Sequence, residues 1–222
     1  TPKGVRVSHG NVLHYARAIG GVLGVAAGDR WLHTASMAFS SSVRQLLVPL
    51  LHGASVVLAR RAEIADPREL LRVARQGRAT IMDLVPSYWA RLLDALEAEP
   101  HQVPPSLRLG LSASEPLPAA TLVRWFPLAP DGARFVNMFG QTETTGIVSA
   151  GEVTRDDADG DPIVALGRAL PGNRLLVVDA AGQPLPAGLA GEIVVAGPNV
   201  GLGYHPDAEL TAARFLAQAP GG

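Results

Sequence analysis

The segment Gly140-Gln141-Thr142-Glu143-Thr144-Thr145-Gly146 packs two glycines, three hydroxyls and one carboxylate into seven residues, directly after the apolar run Phe135-Val136-Asn137-Met138-Phe139. That set of groups suits a loop for phosphate and magnesium. Glycine lets a backbone approach phosphates, threonine hydroxyls donate to them, and one carboxylate holds Mg²⁺ while substrate oxygens and water complete its octahedron. The same composition also makes an ordinary turn after a strand, so composition alone leaves both readings open. Asp83 is the second chemically loaded position. It interrupts Ala79-Thr80-Ile81-Met82-Asp83-Leu84-Val85, an otherwise apolar run in which a carboxylate is costly unless paired. The histidines His14, His33, His52, His101 and His205 lack metal-ligand spacing. Ser112-Ala113-Ser114 shows no partnered His or Asp, which argues against a hydrolase triad.

The elements that must position these groups follow from periodicity. From Gly10 to about Phe139, short β-branched or apolar runs alternate with amphipathic stretches, the pattern of strand-helix-strand units and a largely parallel sheet. Val43, Leu46, Leu47, Leu50 and Leu51 fall at helical spacing, with Gly53 as the stop and Ser55-Val56-Val57-Leu58-Ala59 as a buried strand. Asp66-Pro67-Arg68-Glu69 combines an N-cap carboxylate, proline at the first helical position and an acidic residue at the capping-box position; Gly77 ends that helix. A strand over 79–85 follows. Pro86 opens a helix whose Tyr88, Trp89, Leu92, Leu93 and Leu96 share one face; the stretch Pro100 to Pro105 breaks it before a strand over 107–111. After about Gly160 the helical period fades. Arg174 to Asp179 and Glu192 to Val195 flank a Gly/Pro-rich connection, as in an antiparallel pair.

Bulk composition bounds the function. With 222 residues, 47% of them hydrophobic, the chain can bury one sizeable core or two modest ones. Nineteen basic against 20 acidic residues, with no like-charge block, give no nucleic-acid surface and no polybasic membrane anchor. No apolar run approaches the roughly 20 residues that span a bilayer. The absence of cysteine excludes thiolate chemistry and disulfides and makes a reducing cytoplasm the natural setting. The start Thr1-Pro2-Lys3-Gly4 has neither an initiator Met nor a signal-peptide layout, and Pro220-Gly221-Gly222 closes the chain just after an apparent helix. Both ends read as cuts through a longer polypeptide.

Asn137-Met138-Phe139-Gly140-Gln141-Thr142-Glu143 resembles the Asn-x-Tyr-Gly-Pro-Thr-Glu core motif of the adenylation domains of nonribosomal peptide synthetases, members of the adenylate-forming, AMP-binding superfamily. Further motifs follow in that family's order. Thr1-Pro2-Lys3-Gly4-Val5 with His9 resembles the tail of the family's phosphate loop, and Phe39-Ser40-Ser41-Ser42-Val43 followed by Leu50 to Ala54 resembles its Phe-Asp-x-Ser segment and helix. Gly191-Glu192-Ile193-Val194-Val195-Ala196-Gly197, then Gly203-Tyr204, Leu210-Thr211 and Arg214-Phe215, resemble its Gly-Glu-Leu-x-Ile-x-Gly segment and the continuation. The resemblance spans essentially the whole chain.

The resemblance implies an α/β fold, the central piece of the large N-terminal domain of an adenylate-forming enzyme. Parallel-sheet βα units over 1–150 form the AMP-binding part, and a β-rich subdomain with a terminal helix occupies 151–222. The C-terminal domain that supplies a catalytic lysine, the ribose-binding Arg-Thr-Gly-Asp motif and the Ser/Thr/Gly part of the phosphate loop are absent from the sequence, so the fragment alone is expected to be inactive. The implied reaction is attack of a carboxylic acid on the α-phosphorus of ATP, with release of pyrophosphate. Glu143 is the implied Mg²⁺ ligand, Thr142 a phosphate contact and Lys3 a neighbour of the phosphate loop. Asn137, Phe139 and Gly140, together with Ala113, Ser114 and Glu115, which replace Gly-Gly-Glu, would hold the nucleotide; Phe139 stands where the family has the tyrosine stacked on adenine. The acceptor is expected to be phosphopantetheine on a carrier-protein domain. A free-standing acyl-CoA or acyl-AMP ligase and a non-catalytic nucleotide- or protein-binding remnant are the alternatives.

The same alignment implies a substrate pocket of Ser40, Ser41, Arg44, Asp83, Gly110, Ser112, Met138, Gly146 and Ile147. Ser40 stands where amino-acid-activating members have an aspartate against the α-ammonium, and a hydroxyl cannot neutralise a buried ammonium. The expected acid therefore lacks an α-amino group, the alternative being an α-amino pocket with another counter-charge. Asp83 either binds a displaced amine or pairs with Arg44, the internal pair being favoured.

Overall fold

A computed structural model describes residues 3–158 and 160–216. Thr1 and Pro2 of the expected phosphate-loop tail, and the terminal Pro220-Gly221-Gly222, lie outside the described residues. The elements run β1 (Gly4–Arg6), α1 (His9–Leu23), β2 (Arg30–His33), α2 (Ser40–Leu51), β3 (Ser55–Leu58), α3 (Arg61–Ala65), α4 (Pro67–Gln76), β4 (Ile81–Leu84), α5 (Pro86–Ala98), β5 (Leu109–Ser112) and α6 (Ala119–Trp125). They continue with β6 (Arg134–Gln141), β7 (Gly146–Val153), β8 (Arg168–Ala169), β9 (Arg174–Val178), β10 (Glu192–Ala196), β11 (Gly203–His205) and α7 (Ala208–Arg214). Among the described residues no helix is long and apolar enough to cross a membrane.

Local chemistry sets the helix ends. Ser8 starts α1 through a reciprocal cap: its hydroxyl accepts from Asn11 N at 3.0 Å, and Asn11 Oδ1 accepts from Ser8 N at 2.8 Å. At α4, Asp66 accepts from Arg68 N at 2.9 Å and Pro67 occupies the first turn, as the sequence indicates. Glu69 does not complete a capping box. The Glu69 carboxylate turns instead to Arg72, three residues on, at 2.8 Å. Gly77 follows the last turn in right-handed geometry, and the left-handed residue is Arg78 at φ 49°.

The large sheet has the order β3-β2-β4-β5-β6-β7-β8, parallel from β3 to β6 and antiparallel beyond. The central strands β4 and β5 are buried on both faces, so successive side chains enter two different cores. Ile81, Leu109, Leu111, Val136 and Met138 pack with Tyr15 and Ile19 of α1 and Val48 of α2. Met82, Leu84 and Phe135 pack on the other face with Leu70 and Leu71 of α4, Trp89, Leu92, Leu93 and Leu96 of α5, and Trp125 of α6. Trp89, Trp125 and Phe135 form a trio with centroids 5.1 to 5.7 Å apart, Trp125 meeting both other rings edge-to-face. Truncating a buried ring of this kind costs about 3–5 kcal/mol, so this cluster anchors the α5–α6 layer to the sheet.

Because β7 pairs with β6 along its length and β8 with β7, the large sheet reaches residue 169, past the expected boundary at residue 150. The β9–β10 ladder, registered from Glu192 against Val178 to Ala196 against Arg174, forms the antiparallel pair read from the sequence and is a separate two-stranded sheet. A third small sheet joins β1 to β11, with Val5 opposite Tyr204.

Candidate active site

The parallel strands point their carboxyl ends to one edge, the edge at which open α/β sheets bind ligands. The loops there surround a cavity of about 430 Å³. Thr34, Ala35 and Ser36 enter it from the end of β2, Ser41, Arg44 and Gln45 from α2, and Asp83 to Val85 from β4. Tyr88 of α5 and Ala113, Ser114 and Glu115 after β5 complete most of the wall. The Gly140–Gly146 turn leaves the end of β6 at the same edge.

At the cavity floor Arg44 and Asp83 form a two-pronged ion pair, Nε to Oδ2 at 2.8 Å and Nη2 to Oδ1 at 3.0 Å. Both are buried, at 5% and 3% exposure, so neither charge is left to water. Gln45 closes the arrangement: its amide donates to the Asp83 carbonyl at 2.9 Å, and its oxygen accepts from Thr34 N and Ala35 N. Burial works against the Arg44 charge, but the Asp83 carboxylate and the Tyr15 hydroxyl beside it more than compensate, so the guanidinium is held above its ordinary pKa. Burial pushes the Tyr15 phenol up, with Arg44 opposing.

The remaining expected pocket residues do not all gather here. Ser41 lines the cavity, whereas Ser40, the first residue of α2, is half-buried outside its lining. Met138 and Ile147 share the Asp83 face of the sheet but are buried in its core. Gly110 and Ser112 stand apart from the lining of this cavity. They lie on the opposite face; a side chain on Gly110 would meet the Phe135 ring at 2.8 Å, and Ser112 stands beside Leu84 and Asn137. On the Asp83 face stand Leu111 of β5, its direct cross-strand partner, and Ala113, just past the end of β5 at the cavity wall. In a run buried on both sides nothing in the sequence marks which alternate residues face which core.

Of the expected nucleotide residues, Ala113, Ser114 and Glu115 line the cavity, whereas Asn137 and Phe139 belong to the other face of the sheet. Ser112, Asn137, Phe139 and Ser149 are cross-strand or alternate neighbours, and the Ser112 and Ser149 hydroxyls are buried without a hydrogen-bond partner among the described residues. Phe139 is half-buried, whereas Asn137 is sealed in and donates its amide to the carbonyls of Val164 and Ala165 at 3.3 and 3.0 Å. Ser114 adopts φ 77°, the left-handed region that suits glycine. Glu115 accepts from Ser87 N at 2.9 Å and from the Ser87 hydroxyl at 3.0 Å, capping the first turn of α5.

The Gly140–Gly146 segment is a tight hairpin turn. Thr144 Oγ1 donates to the Gly146 carbonyl at 2.9 Å, and Thr145 Oγ1 donates to the Asn199 carbonyl at 2.7 Å. Packing within the chain accounts for both glycines: a Cβ on Gly140 would lie 2.0 Å from the Gly146 carbonyl, and one on Gly146 would strike the Tyr15 ring at 2.7 Å. Thr142 is exposed at the tip and Glu143 half-buried beside it. Glu143 Oε1 accepts from the Tyr204 hydroxyl at 2.7 Å, and the Lys3 ammonium stands 5.5 Å from the centre of the Tyr204 ring. Sequence reasoning passed over this tyrosine, whose only signal was its Gly-Tyr motif.

Among the described residues no three His, Cys, Asp or Glu side chains cluster as a complete metal cage. Glu143 fits a different arrangement. With Oε1 bound by Tyr204, Oε2 has no hydrogen-bond partner among the described residues, which suits Mg²⁺ that takes its other ligands from substrate phosphates and water.

Residues 1–205 match the family model described as AMP-binding enzyme. Pyochelin synthetase PchF of Pseudomonas aeruginosa is 34% identical over 221 residues; the match takes in 100% of this chain and 12% of that protein. Among solved structures, the nonribosomal peptide synthetase FmoA3 superposes with a TM-score of 0.87 at 30% identity over 97% of this chain and 23% of its own. VinN, in a complex with L-aspartate, superposes with a TM-score of 0.80 at 31% identity over 96% of this chain and 51% of its own. The chain thus spans about half of VinN and a small part of the synthetases.

Proposed function

Since the chain belongs to the AMP-binding enzyme family, we propose that it forms the acid- and phosphate-facing part of an enzyme that couples a carboxylic acid to AMP, for delivery to a carrier-protein thiol. The observation that carries this reading is the meeting, at one sheet edge, of the cavity floored by Arg44 and Asp83 with the turn that bears Thr142 and Glu143. A carboxylate oxygen of the acid attacks the α-phosphorus of ATP, the bond to pyrophosphate breaks, and acyl-AMP remains. The chain's part in this is alignment and charge compensation, which dominate phosphoryl and adenylyl transfers. The cavity walls hold the acid away from bulk water. Phe139 offers a ring to the base, Thr142 a hydroxyl donor to a phosphate oxygen, and Lys3 a cation near the same turn. Mg²⁺ held on Glu143 supplies neutralisation of the phosphate charge when bound.

The acid we propose lacks an α-ammonium group. Ser40 has no charge to offer one, and Asp83 already spends its carboxylate on Arg44. An ammonium entering the cavity would have to break that pair or remain unneutralised, and either costs several kcal/mol. The synthetase relatives support delivery to a phosphopantetheine thiol.

The test is pyrophosphate release with hydroxylamine as acceptor, in the full-length protein that carries this chain. Matched acids differing only by an α-amino group are compared, with L-aspartate included because VinN binds it. Preference for the des-amino acids supports the proposal; preference for α-amino acids overturns its substrate class, and no pyrophosphate with any acid overturns the reaction.

A further inference from the structure

Tyr204 sits where β1 and β11, the first and last strands among the described residues, meet, opposite Val5, and is 8% exposed. Its ring is fixed from two sides. Phe215 meets it edge-on at 5.3 Å between centroids, and the Lys3 ammonium lies 5.5 Å from its centre. Its hydroxyl donates to Glu143 Oε1 at 2.7 Å. The same segment also holds the Glu143 main chain, because Gly201 N donates to the Glu143 carbonyl at 2.8 Å.

A carboxylate at a hairpin tip ordinarily samples several rotamers, and ordering it costs entropy when it binds. Here the backbone bond from Gly201 sets the residue, and the phenol bond selects one rotamer and occupies one oxygen. The other oxygen is left for a ligand. Tyr204 also meets both the anionic and the cationic member of the proposed phosphate site, through its hydroxyl and its π face.

We infer that Tyr204 is a positioning residue that presents Glu143 Oε2 to the magnesium–nucleotide, an inference resting on the proposed role of Glu143. Hydrogen-bond partners that orient a metal-binding carboxylate typically govern metal affinity by about 10–100-fold. The substitution Y204F removes the hydroxyl and keeps the ring against Phe215 and Lys3, so the local packing persists.

The experiment measures Mn²⁺ binding to the full-length protein by EPR of the free ion, in the presence of an ATP analogue with a methylene bridge between its α and β phosphates. Wild type, Y204F, E143Q and the double variant form a cycle. The expected result is weakening of about tenfold or more for Y204F alone and no further weakening when Y204F is added to E143Q. Unchanged affinity in Y204F, or equal weakening in both backgrounds, overturns the inference and leaves the Glu143 assignment standing. Unchanged affinity in E143Q overturns that assignment itself.

Discussion

Arg44 and Asp83 meet in a bidentate ion pair that joins α2 to β4 beneath the cavity, at 2.8 and 3.0 Å and almost entirely out of solvent. Such a pair adds little over well-packed apolar residues, but half of it is a severe liability. Asp83→Ala is expected to destabilise the fold by about 3–5 kcal/mol, whereas the double change Arg44→Met with Asp83→Leu should be neutral or stabilising. Denaturant unfolding of the three proteins checks this. If the pair is purely internal, Asp83→Asn leaves the ranking of acids in the pyrophosphate assay unchanged.

Ser114 carries a side chain in a left-handed conformation, which costs an L-residue about 1–2 kcal/mol. Its hydroxyl forms no hydrogen bond among the described residues that would repay this. Glycine relieves the conformation but loses more freedom on folding, so Ser114→Gly should stabilise by about 0.5–1 kcal/mol. For a chain of this size that is a rise of about 1–4 °C in melting temperature. A fall in melting temperature would mean that the Ser114 side chain does more than its contacts indicate.

Gly140 is required by the closure of its own hairpin. Since a methyl group there would overlap the Gly146 carbonyl, Gly140→Ala must part β6 from β7 at the turn. We expect a loss of at least about 2 kcal/mol, within the range of severe backbone effects, together with faster amide exchange over 140–147. Normal exchange across that turn would contradict the close approach.

At the opposite end of the strands, Asp29 ties β2 to β4 and β5. Burial alone would raise its pKa, but bonds from Arg108 at 2.7 and 2.5 Å, from Ala26 N and from the Thr80 hydroxyl outweigh this and hold it below the usual carboxylate range. A depressed folded-state pKa adds stability that is complete above the unfolded value of about 3.9 and is lost as pH falls through the folded one. Asp29→Asn should cost about 1.5–3 kcal/mol at pH 7, and its deficit against wild type should shrink below about pH 4. Unfolding curves at neutral and acid pH decide it; a deficit independent of pH would mean that the Asp29 charge is not what matters.

Features written in short-range chemistry were legible in the sequence. Asp66-Pro67 fixed the start of α4, and Trp89, Leu92, Leu93 and Leu96 share the buried face of α5 that their spacing indicates. The turn after β6 and the β9–β10 pair were equally local. Strand phase was not legible. Leu109 to Ser112 are all buried, so no alternation distinguishes the face of Leu111 from that of Gly110. Glu69 was misread because an i,i+3 arginine competes for the same carboxylate. The bond from Tyr204 to Glu143 spans 61 residues and depends on the pairing of the chain's outermost strands, which neither periodicity nor spacing encodes.

That outermost pairing also has a history in time. Val5 waits for a partner about 200 residues downstream, and a chain emerging at about 5–20 residues per second leaves it alone for about 10–40 s. Meanwhile the parallel sheet, with its shorter-range connections, is free to assemble. Loop closure grows costlier only slowly with length, by about 0.6 kcal/mol per doubling, so a ladder of three residue pairs can still close once the sheet between its strands stands. The corner that brings Lys3, Glu143 and Tyr204 together cannot form until β11 has been synthesised. A nascent chain can hold a finished acid cavity while its phosphate corner does not yet exist.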